Sequence, residues 1–510
     1  MAHSGQELEI KLTGAPADVA ALRRSPLFRE GAANGGGWER LVTTYYDSGD
    51  GRLEKAGASL RLREEAGRRI QTMKLSSSGA FGRLEEERAL AEDEAFPYIP
   101  YTDEFAALLA HAGRDLEPAA RTVTDRYSVV IVTGGAKIEA AFDIGRAECW
   151  RGGTPFAAAP LAEAELELLA GDPKALFKTA RKCLKANDGR LRLSIASKAE
   201  QARRLADPFV AVRPEAGLTL DAAGTTGAAL AASLTQCAKR MIDCAPAIVD
   251  LRAPEGVHQM RVALRRFRAL ERIFRKAADD ARLEKLAADA RKWARLLGAA
   301  RDWDVFLAET LPESLPGGYA AGGLNALRTR AEALRAEAWD RVARKVAGAR
   351  FSLFALGLLE AAHRIGAARS PELDENIRAF AARALDWRLD KARLVAAGIE
   401  SASPAARHPL RIELKKLRYA AQTFRSLYDK GGRKAYMGAM SRMQDAFGAL
   451  NDAVMAQELA NEAALGQGRE AARAAGFLAG WRAGEAEARA SEVGEDWRAF
   501  AALEPFWRDV

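Results

Sequence analysis

Two periodicities divide the chain. Up to about residue 200, apolar and polar positions alternate with a period of two. Glu7-Leu8-Glu9-Ile10-Lys11-Leu12, Leu60-Arg61-Leu62-Arg63 and Ala164-Glu165-Leu166-Glu167-Leu168 each put apolar side chains on one side of an extended strand and polar ones on the other. Tyr127–Val132 and Lys137–Asp143 flank a Thr133-Gly134-Gly135-Ala136 turn and predict a hairpin. Short 3.6-residue patterns predict helices at about 16–24, 101–112 and 173–186. Residues 207–224 carry two prolines and two glycines and read as a linker. Beyond them Ala, Leu, Arg and Glu recur with helical period and almost no strand signal. The organisation expected is a β-rich domain over 1–205, a linker over 206–222 and an all-α domain over 223–505.

The helical part repeats itself. His258-Gln-Met-Arg261-Val-Ala-Leu264-Arg265-Arg266-Phe-Arg268 aligns with His408-Pro-Leu-Arg411-Ile-Glu-Leu414-Lys415-Lys416-Leu-Arg418 at an offset of 150 residues. At that same offset Gly298-Ala-Ala-Arg301-Asp302 matches Gly448-Ala-Leu-Asn451-Asp452. Two motifs sharing one ungapped offset indicate a duplicated helical unit. On a helix turning 100° per residue, His258, Arg261, Arg265, Arg268, Arg272 and Arg275 share a face, while Phe267, Leu270 and Phe274 turn elsewhere, toward a core. His408, Arg411, Lys415, Arg418 and Arg425 repeat the stripe. Of nearby acids, Glu271 and Glu413 lie off it. A single basic helix face is ordinarily just solvated; duplicated in register, with a histidine opening each copy, it calls for an external anion.

Charge sharpens that division. The 510 residues hold 77 Lys+Arg against 69 Asp+Glu, and residues 1–205 balance 30 against 30, so the whole +8 excess lies in the helical part. Residues 251–300 carry 13 basic against 6 acidic, and 401–450 carry 10 against 3. No aromatic ladder or groove-reading motif accompanies the stripes, which disfavours nucleic acid relative to polyphosphate. Four cysteines without CxxC pairs, no signal-peptide pattern and no apolar run of about 18 residues point to a cytoplasmic, reducing location without a membrane span.

In the β-rich part the charges sit at i, i+2 spacing. Glu7, Glu9 and Lys11 share one strand face, Arg61 and Arg63 another, and Glu163, Glu165 and Glu167 a third. Lys74 ends a further strand, Arg126 and Asp143 lie on the predicted hairpin, and Lys198 is expected to close the last strand. One such face would be the wet side of a sheet. Repeated over several strands, it suggests a closed sheet with a charged lumen. Clustered carboxylates suit Mg²⁺ or Mn²⁺, and converging Arg and Lys suit phosphate oxygens. No P-loop is present.

Both halves resemble known families. The ExExK of Glu7, Glu9 and Lys11, with Tyr46-Asp47, Leu60-Arg61-Leu62-Arg63, Met73-Lys74, Glu163-x-Glu165-x-Glu167-Leu-Leu and Ser197-Lys198, resembles the CYTH domain of the triphosphate tunnel metalloenzymes. The duplicated HxxR-[VI]-x-L-[RK]-[RK]-x-R motif, followed 44 residues later by Asp302 or Asp452, resembles the CHAD (conserved histidine α-helical) domain. The resemblance implies an α+β multidomain chain: an eight-stranded antiparallel β tunnel barrel, then two duplicated helical bundles with a basic groove for polyphosphate. It implies Glu7, Glu9, Asp143 and Glu165 as metal ligands for Mg²⁺ or Mn²⁺, and Glu163 or Glu165 as the catalytic carboxylate. Lys11, Arg61, Arg63, Lys74, Arg126 and Lys198 would bind substrate. His258, Arg261, Arg265, Arg268, His408, Arg411, Lys415 and Arg418 would bind polyphosphate. The activity expected is inorganic triphosphatase, cleaving tripolyphosphate to pyrophosphate and phosphate, in a cytoplasmic protein associated with polyphosphate granules. The alternatives are a class IV adenylate cyclase or thiamine triphosphatase, for which the sequence offers no aromatic pocket, or a non-enzymatic polyphosphate-binding protein.

Overall fold

A computed structural model describes residues 8–33, 36–76, 83–97, 102–113, 115–186, 189–214, 217–315, 320–397, 408–429, 431–490 and 493–508. By contact the chain forms two units. The first comprises 1–213, 238–251 and 344–360; the second comprises 214–237, 252–343 and 361–510.

The first unit is built on one antiparallel sheet of strands β1 (Glu9–Thr13), β2 (Gly37–Ser48), β3 (Ala58–Glu65), β4 (Arg68–Ser76), β5 (Arg83–Leu90), β6 (Leu116–Thr133), β7 (Ala136–Arg151), β8 (Thr154–Ala170) and β9 (Arg192–Ser194), in the order β5-β4-β3-β2-β6-β7-β8-β1-β9. The predicted hairpin is β6–β7, turning at Gly134 and Gly135, both at positive φ. The eight-stranded closed barrel expected from the resemblance is corrected in two respects. Among the described residues the sheet has nine strands, and β5 and β9 remain unpaired edges. The ninth strand is the three-residue Arg192–Ser194, which finishes the sheet by pairing with Lys11–Thr13.

Period-two alternation gives the sheet one apolar face, where Ile10, Leu12, Phe142, Ala164 and Leu166 are buried. Helices α1 (Pro16–Arg23), α2 (Pro26–Ala33) and α5 (Pro173–Ala186) cover it, with Phe28 edge-on to Phe142 at 5.0 Å. Two shorter helices, α3 (Arg52–Lys55) and α4 (Asp103–Ala112), pack with Leu60 and Met73. Helix α6 (Lys198–Arg203) lies on the other, charged face. Its Ala199 and Ala202 pack with Tyr45, Ala120, Ala147 and Leu161. Lys198 therefore opens a helix instead of closing a strand. The reason is local: Ser197 and Glu200 form a reciprocal capping box.

The helical part holds α7 (Thr226–Val249), α8 (Pro254–Ala278), α9 (Ala281–Val305), α10 (Ala321–Ala347), α11 (Ala349–Ala367), α12 (Pro371–Asp374), α13 (Ile377–Val395), α14 (His408–Phe424), α15 (Gly431–Ala464), α16 (Gly468–Ala490) and α17 (Val493–Ala501), with a π-helical turn at Phe306–Thr310. Parts of α7 and α11 belong to the first unit through polar ties. Arg204 pairs with Asp243 at 2.7 Å, Arg192 with Asp250 at 3.2 Å, and Ser352 Oγ accepts from the Leu193 N–H at 3.2 Å. Arg240 donates to the carbonyls of Ala211, Val212 and Arg213 at 2.7, 3.1 and 2.6 Å, which fixes the stretch expected to be a free linker. In the second unit Phe267, Leu270 and Phe274 are buried. Among the described residues no helix is long and apolar enough to cross a membrane.

One glycine tests the close pairing of β6 and β7. A Cβ added at Gly145 would lie 2.0 Å from the Val123 carbonyl oxygen. Gly145→Ala should lower stability by about 1–3 kcal/mol, read as a reduced urea midpoint at unchanged slope; an unchanged midpoint would show that the strands can part there freely.

Candidate active site and basic groove

Antiparallel register assembles the charged face of the sheet. Arg126 stands opposite Asp143, Asp143 opposite Glu163, and Glu165 opposite Lys11. Arg126 grips Asp143 through Nε and Nη2 at 2.9 and 2.6 Å and reaches Glu165 at 2.7 Å. Lys11 donates to Glu165 at 2.8 Å and lies 3.2 Å from Glu9. From α6, Lys198 Nζ contacts Asp143 at 2.9 Å, Glu165 at 3.0 Å and Glu163. Asp143 and Glu163 are 0% exposed, so these contacts are what makes their burial tolerable.

The electrostatics follow the geometry. Burial alone would raise all three acids. For Glu165 the cations Lys11, Lys198 and Arg126 win and hold it well below the usual carboxylate range. For Asp143, Lys198 and Arg126 likewise outweigh burial. Glu163 goes the other way: burial, reinforced by neighbouring Glu165, keeps its carboxyl above the ordinary value despite Lys198. Burial would lower Lys11 and Lys198, but the facing carboxylates overcome it and hold both ammonium groups up.

Asp143, Glu163 and Glu165 can each offer an oxygen within 4.8 Å of the others. Three hard oxygen donors so close, buried and counterbalanced only by side-chain cations, fit a small divalent ion. Glu9 stands outside that trio and touches it through Lys11, while Glu7 lies outside the described residues.

Across the sheet lies a second set of charges. Lys74 pairs with Glu85 at 2.6 Å, and Arg61 lies 3.8 and 3.9 Å from Glu85 and Glu87. Arg63 lies 3.8 Å from Glu65. Burial, then the nearby Arg61 and Arg126, lowers the Arg63 guanidinium. The Nε groups of both Arg61 and Arg63 are buried without a hydrogen-bond acceptor among the described residues. The sheet thus brings Lys11, Arg61, Arg63, Lys74, Arg126 and Lys198 to one face.

Sequence reasoning missed Gln201, whose Nε2 donates to Glu163 Oε2 at 2.6 Å. It sits three residues beyond Lys198, one helical turn along the same face, and the unrecognised capping box was the signal for it. Glu85 and Glu87, not singled out as site residues in the sequence, pair with Lys74 and Arg61. Trp38 was also missed. It is 57% exposed and lies near a 710 Å³ cavity, but it stands opposite Tyr127 on the apolar side of the sheet, its ring 5.3 Å from Tyr127 and 4.9 Å from the Arg23 guanidinium.

In the second unit the stripes of α8 and α14 meet. A 480 Å³ cavity lies between the earlier part of α8, from Val262 to Leu270, and the later part of α14, from Lys415 to Thr423. A 330 Å³ cavity lies between Arg265–Ile273 and Ile412–Tyr419. The helices therefore pass in opposite directions. Along the seam the two stripes overlap in mirrored order: Arg265 shares the larger cavity with Arg418, and Arg268 shares the smaller with Lys415. The His408 side chain lies outside the described residues.

Individual placements differ between the copies. Arg261 donates to the Ala294 carbonyl at 2.9 Å, resting over Gly298, where a Cβ would come within 2.6 Å of its Nη1. Arg418 donates to Gln444 at 2.6 Å. The Nε groups of Arg268 and Arg411 are buried without an acceptor among the described residues. Arg275, expected on the free stripe, is instead taken up by Glu271 at 2.6 Å, one turn before it. Burial, and then Arg301, Arg265 and Arg261, hold the His258 imidazole below its ordinary value against the pull of Glu255.

Residues 5–202 match the CYTH domain family and residues 232–461 the CHAD domain family. Among solved structures, the CHAD domain of the plant Ricinus communis is 30% identical, covering 57% of this chain and 96% of its own, with a TM-score of 0.47. PptA from Streptomyces chartreusis is 17% identical over 54% of this chain and 100% of its own, TM-score 0.42. A Hippeastrum protein named for adenylyl cyclase and for a dominant triphosphatase activity is 18% identical over 39% of this chain and 95% of its own, TM-score 0.27.

The depressed His258 predicts a pH response. An anion seated beside it favours the imidazolium, so binding takes up a proton and tightens as pH falls from about 7 to 5. His258→Asn should flatten that part of the affinity–pH curve for pentameric or longer polyphosphate; an unaltered curve would remove His258 from the binding surface.

Proposed function

Because this chain belongs to the proteins that join a CYTH domain to a CHAD domain, we propose that its sheet unit is a metal-dependent inorganic triphosphatase, cleaving tripolyphosphate to pyrophosphate and phosphate, and that its helices bind inorganic polyphosphate. The observation that carries the reading is the juxtaposition of the Asp143–Glu163–Glu165 trio with Lys11, Arg126 and Lys198.

Asp143 and Glu165, helped by Glu7 and Glu9, would hold Mg²⁺ or Mn²⁺. Such an ion, when bound, offsets phosphate charge and withdraws electrons from the phosphorus being attacked. The carboxylates then need fewer of their present partners. Lys11, Arg126 and Lys198 can turn to phosphate oxygens of the substrate, while Arg61, Arg63 and Lys74 hold its far end. The cations stabilise charge building on the pyrophosphate leaving group. Glu163, whose carboxyl burial holds above the ordinary value, and Glu165 are the acid–base candidates; either orients water and accepts its proton. Gln201 keeps Glu163 aimed.

For the helical unit, the mirrored order of cations along α8 and α14 supports a ligand without direction. Inorganic polyphosphate reads alike from either end, whereas a nucleic-acid strand does not.

The alternative for the charged face is an organic triphosphate as substrate. Phosphate release from tripolyphosphate, ATP and thiamine triphosphate, each with Mg²⁺ and with Mn²⁺, separates the readings. Tripolyphosphate should be preferred, and Glu9→Gln and Glu165→Gln should each reduce its turnover by roughly 100-fold or more. Release from none of the three would leave a binding protein.

Polyphosphate affinity should fall steeply with salt, and joint reversal of Arg265 and Lys415 to Glu should abolish it. A salt-independent affinity would rule out the electrostatic account.

A further inference from the structure

The two cavities of the α8–α14 seam are copies of one another. Nine of the ten residues lining the 330 Å³ cavity have their counterpart 150 positions away in the 480 Å³ cavity, so the internal duplication extends to the binding surface itself. The copies have since diverged. Where the larger cavity has Gln422 and Thr423, the smaller has Arg272 and Ile273. Where α7 offers Gln236 and Ser233 to the larger, α13 offers Arg388 to the smaller. A ligand indifferent to direction and made only of phosphate gives no reason for that asymmetry.

Arg388 is the informative residue. It is 8% exposed, lines the cavity, and has no carboxylate within ion-pairing distance among the described residues. The nearest acid to influence it, Glu413, is held by Lys416 at 2.6 Å. Burial, followed by Arg272, holds the guanidinium below its ordinary value. A buried guanidinium without a counter-ion is unfavourable, so the cavity is built for an anion. Yet the site is not purely ionic. Ile273, Ile412 and Tyr419 share its wall, and Ile412 is partly open to solvent. Arg388 lies 4.4 Å from the ring centroid of Trp387, which is itself 52% exposed. Cations beside an open indole, a phenol and two isoleucines match a phosphate ester with a flat ring, and the volume suits a small organic molecule.

We propose that the cavity between α8, α13 and α14 binds a nucleoside polyphosphate, its phosphates on Arg268, Arg272 and Arg388 and its base against the Trp387–Tyr419 side. This goes beyond polyphosphate binding by the seam, and it holds whether or not the sheet unit hydrolyses triphosphates.

The test uses the full-length protein in EDTA, so that hydrolysis is suppressed. An azido-substituted ATP is photolysed in place and the label mapped by peptide sequencing. Isothermal titration then compares ATP with inorganic tripolyphosphate in wild type, Arg388→Leu and Trp387→Ala. Label should appear on α13 or α14, and excess ATP should protect against it better than equimolar tripolyphosphate. The ATP-binding class lost in Arg388→Leu should weaken roughly fivefold or more in Trp387→Ala, as removal of a stacking partner requires. Trp387 is exposed enough for its replacement to leave the fold intact, so that variant keeps the test meaningful if Arg388→Leu is unstable. Label confined to the sheet unit, or equal protection by tripolyphosphate with no effect of Trp387→Ala, would overturn the proposal. Failure of the polyphosphate reading is scored separately, by whether wild type binds long-chain polyphosphate at all.

Discussion

Mutual neutralisation of buried charge holds the sheet unit together. Asp143 and Glu163 are fully enclosed, and Arg126, Lys11 and Lys198 reach them or Glu165 from two strands and a helix. Removing Lys198 would leave Glu163 buried without a cation, the costly direction of such a change, whereas Asp143 keeps Arg126 and Glu165 keeps Lys11 and Arg126. This requirement ties distant parts of the chain to one register. A slip of one residue in β6 would swing Arg126 to the apolar face and leave Asp143 half unpaired. It also explains why α6 docks on the inside of the sheet: its amino-terminal lysine completes the charge balance, and its two alanines fit against Tyr45 and Leu161. Stability and candidate chemistry therefore share the same atoms, and a divalent ion entering the trio competes with the cations that now hold it.

Much of this was legible in the sequence because a period of two fixes both strand and face at once. The charges at i, i+2 in β1, β3 and β8 gave the inward side directly, and the Gly134-Gly135 turn gave one antiparallel pair, β6–β7. What escaped was set by short or long-range features. The three residues of β9 are too few to show a period, and α2, though Ser25-Pro26 marks its start, runs only eight residues. Lys198 was misread as strand because the Ser197–Glu200 box was passed over, and Gln201 was lost with it. The ties from Arg204 and Arg240 to their partners join segments 27 to 39 residues apart and leave no periodic trace. In the helical unit the basic stripe was evident, whereas the capture of Arg275 by Glu271 at i−4 was not.

Duplication and divergence act on different layers of the helical unit. The seam residues around Arg265 and Lys415 are matched in both copies, as are the glycine and aspartate that follow. Beyond them the walls differ, arginine and isoleucine on one side against amide and hydroxyl on the other. Gly298 illustrates a finer divergence: it admits Arg261 against the backbone of α9, while a Cβ at Gly448 would meet only the far oxygen of Asp452, at 3.9 Å. The copies share a charge pattern but not the same packing around it.

The mirrored order of side chains along α8 and α14 also bears on motion. A filament of identical units can thread such a track head-first or tail-first with equal energy, and this twofold degeneracy alone is worth about 0.4 kcal/mol of statistical free energy. Each shift of one repeat unit adds another near-equivalent alignment, so longer filaments gain occupancy through number of alignments, without new contacts. A polyphosphate chain bound as proposed would be retained while it still slides.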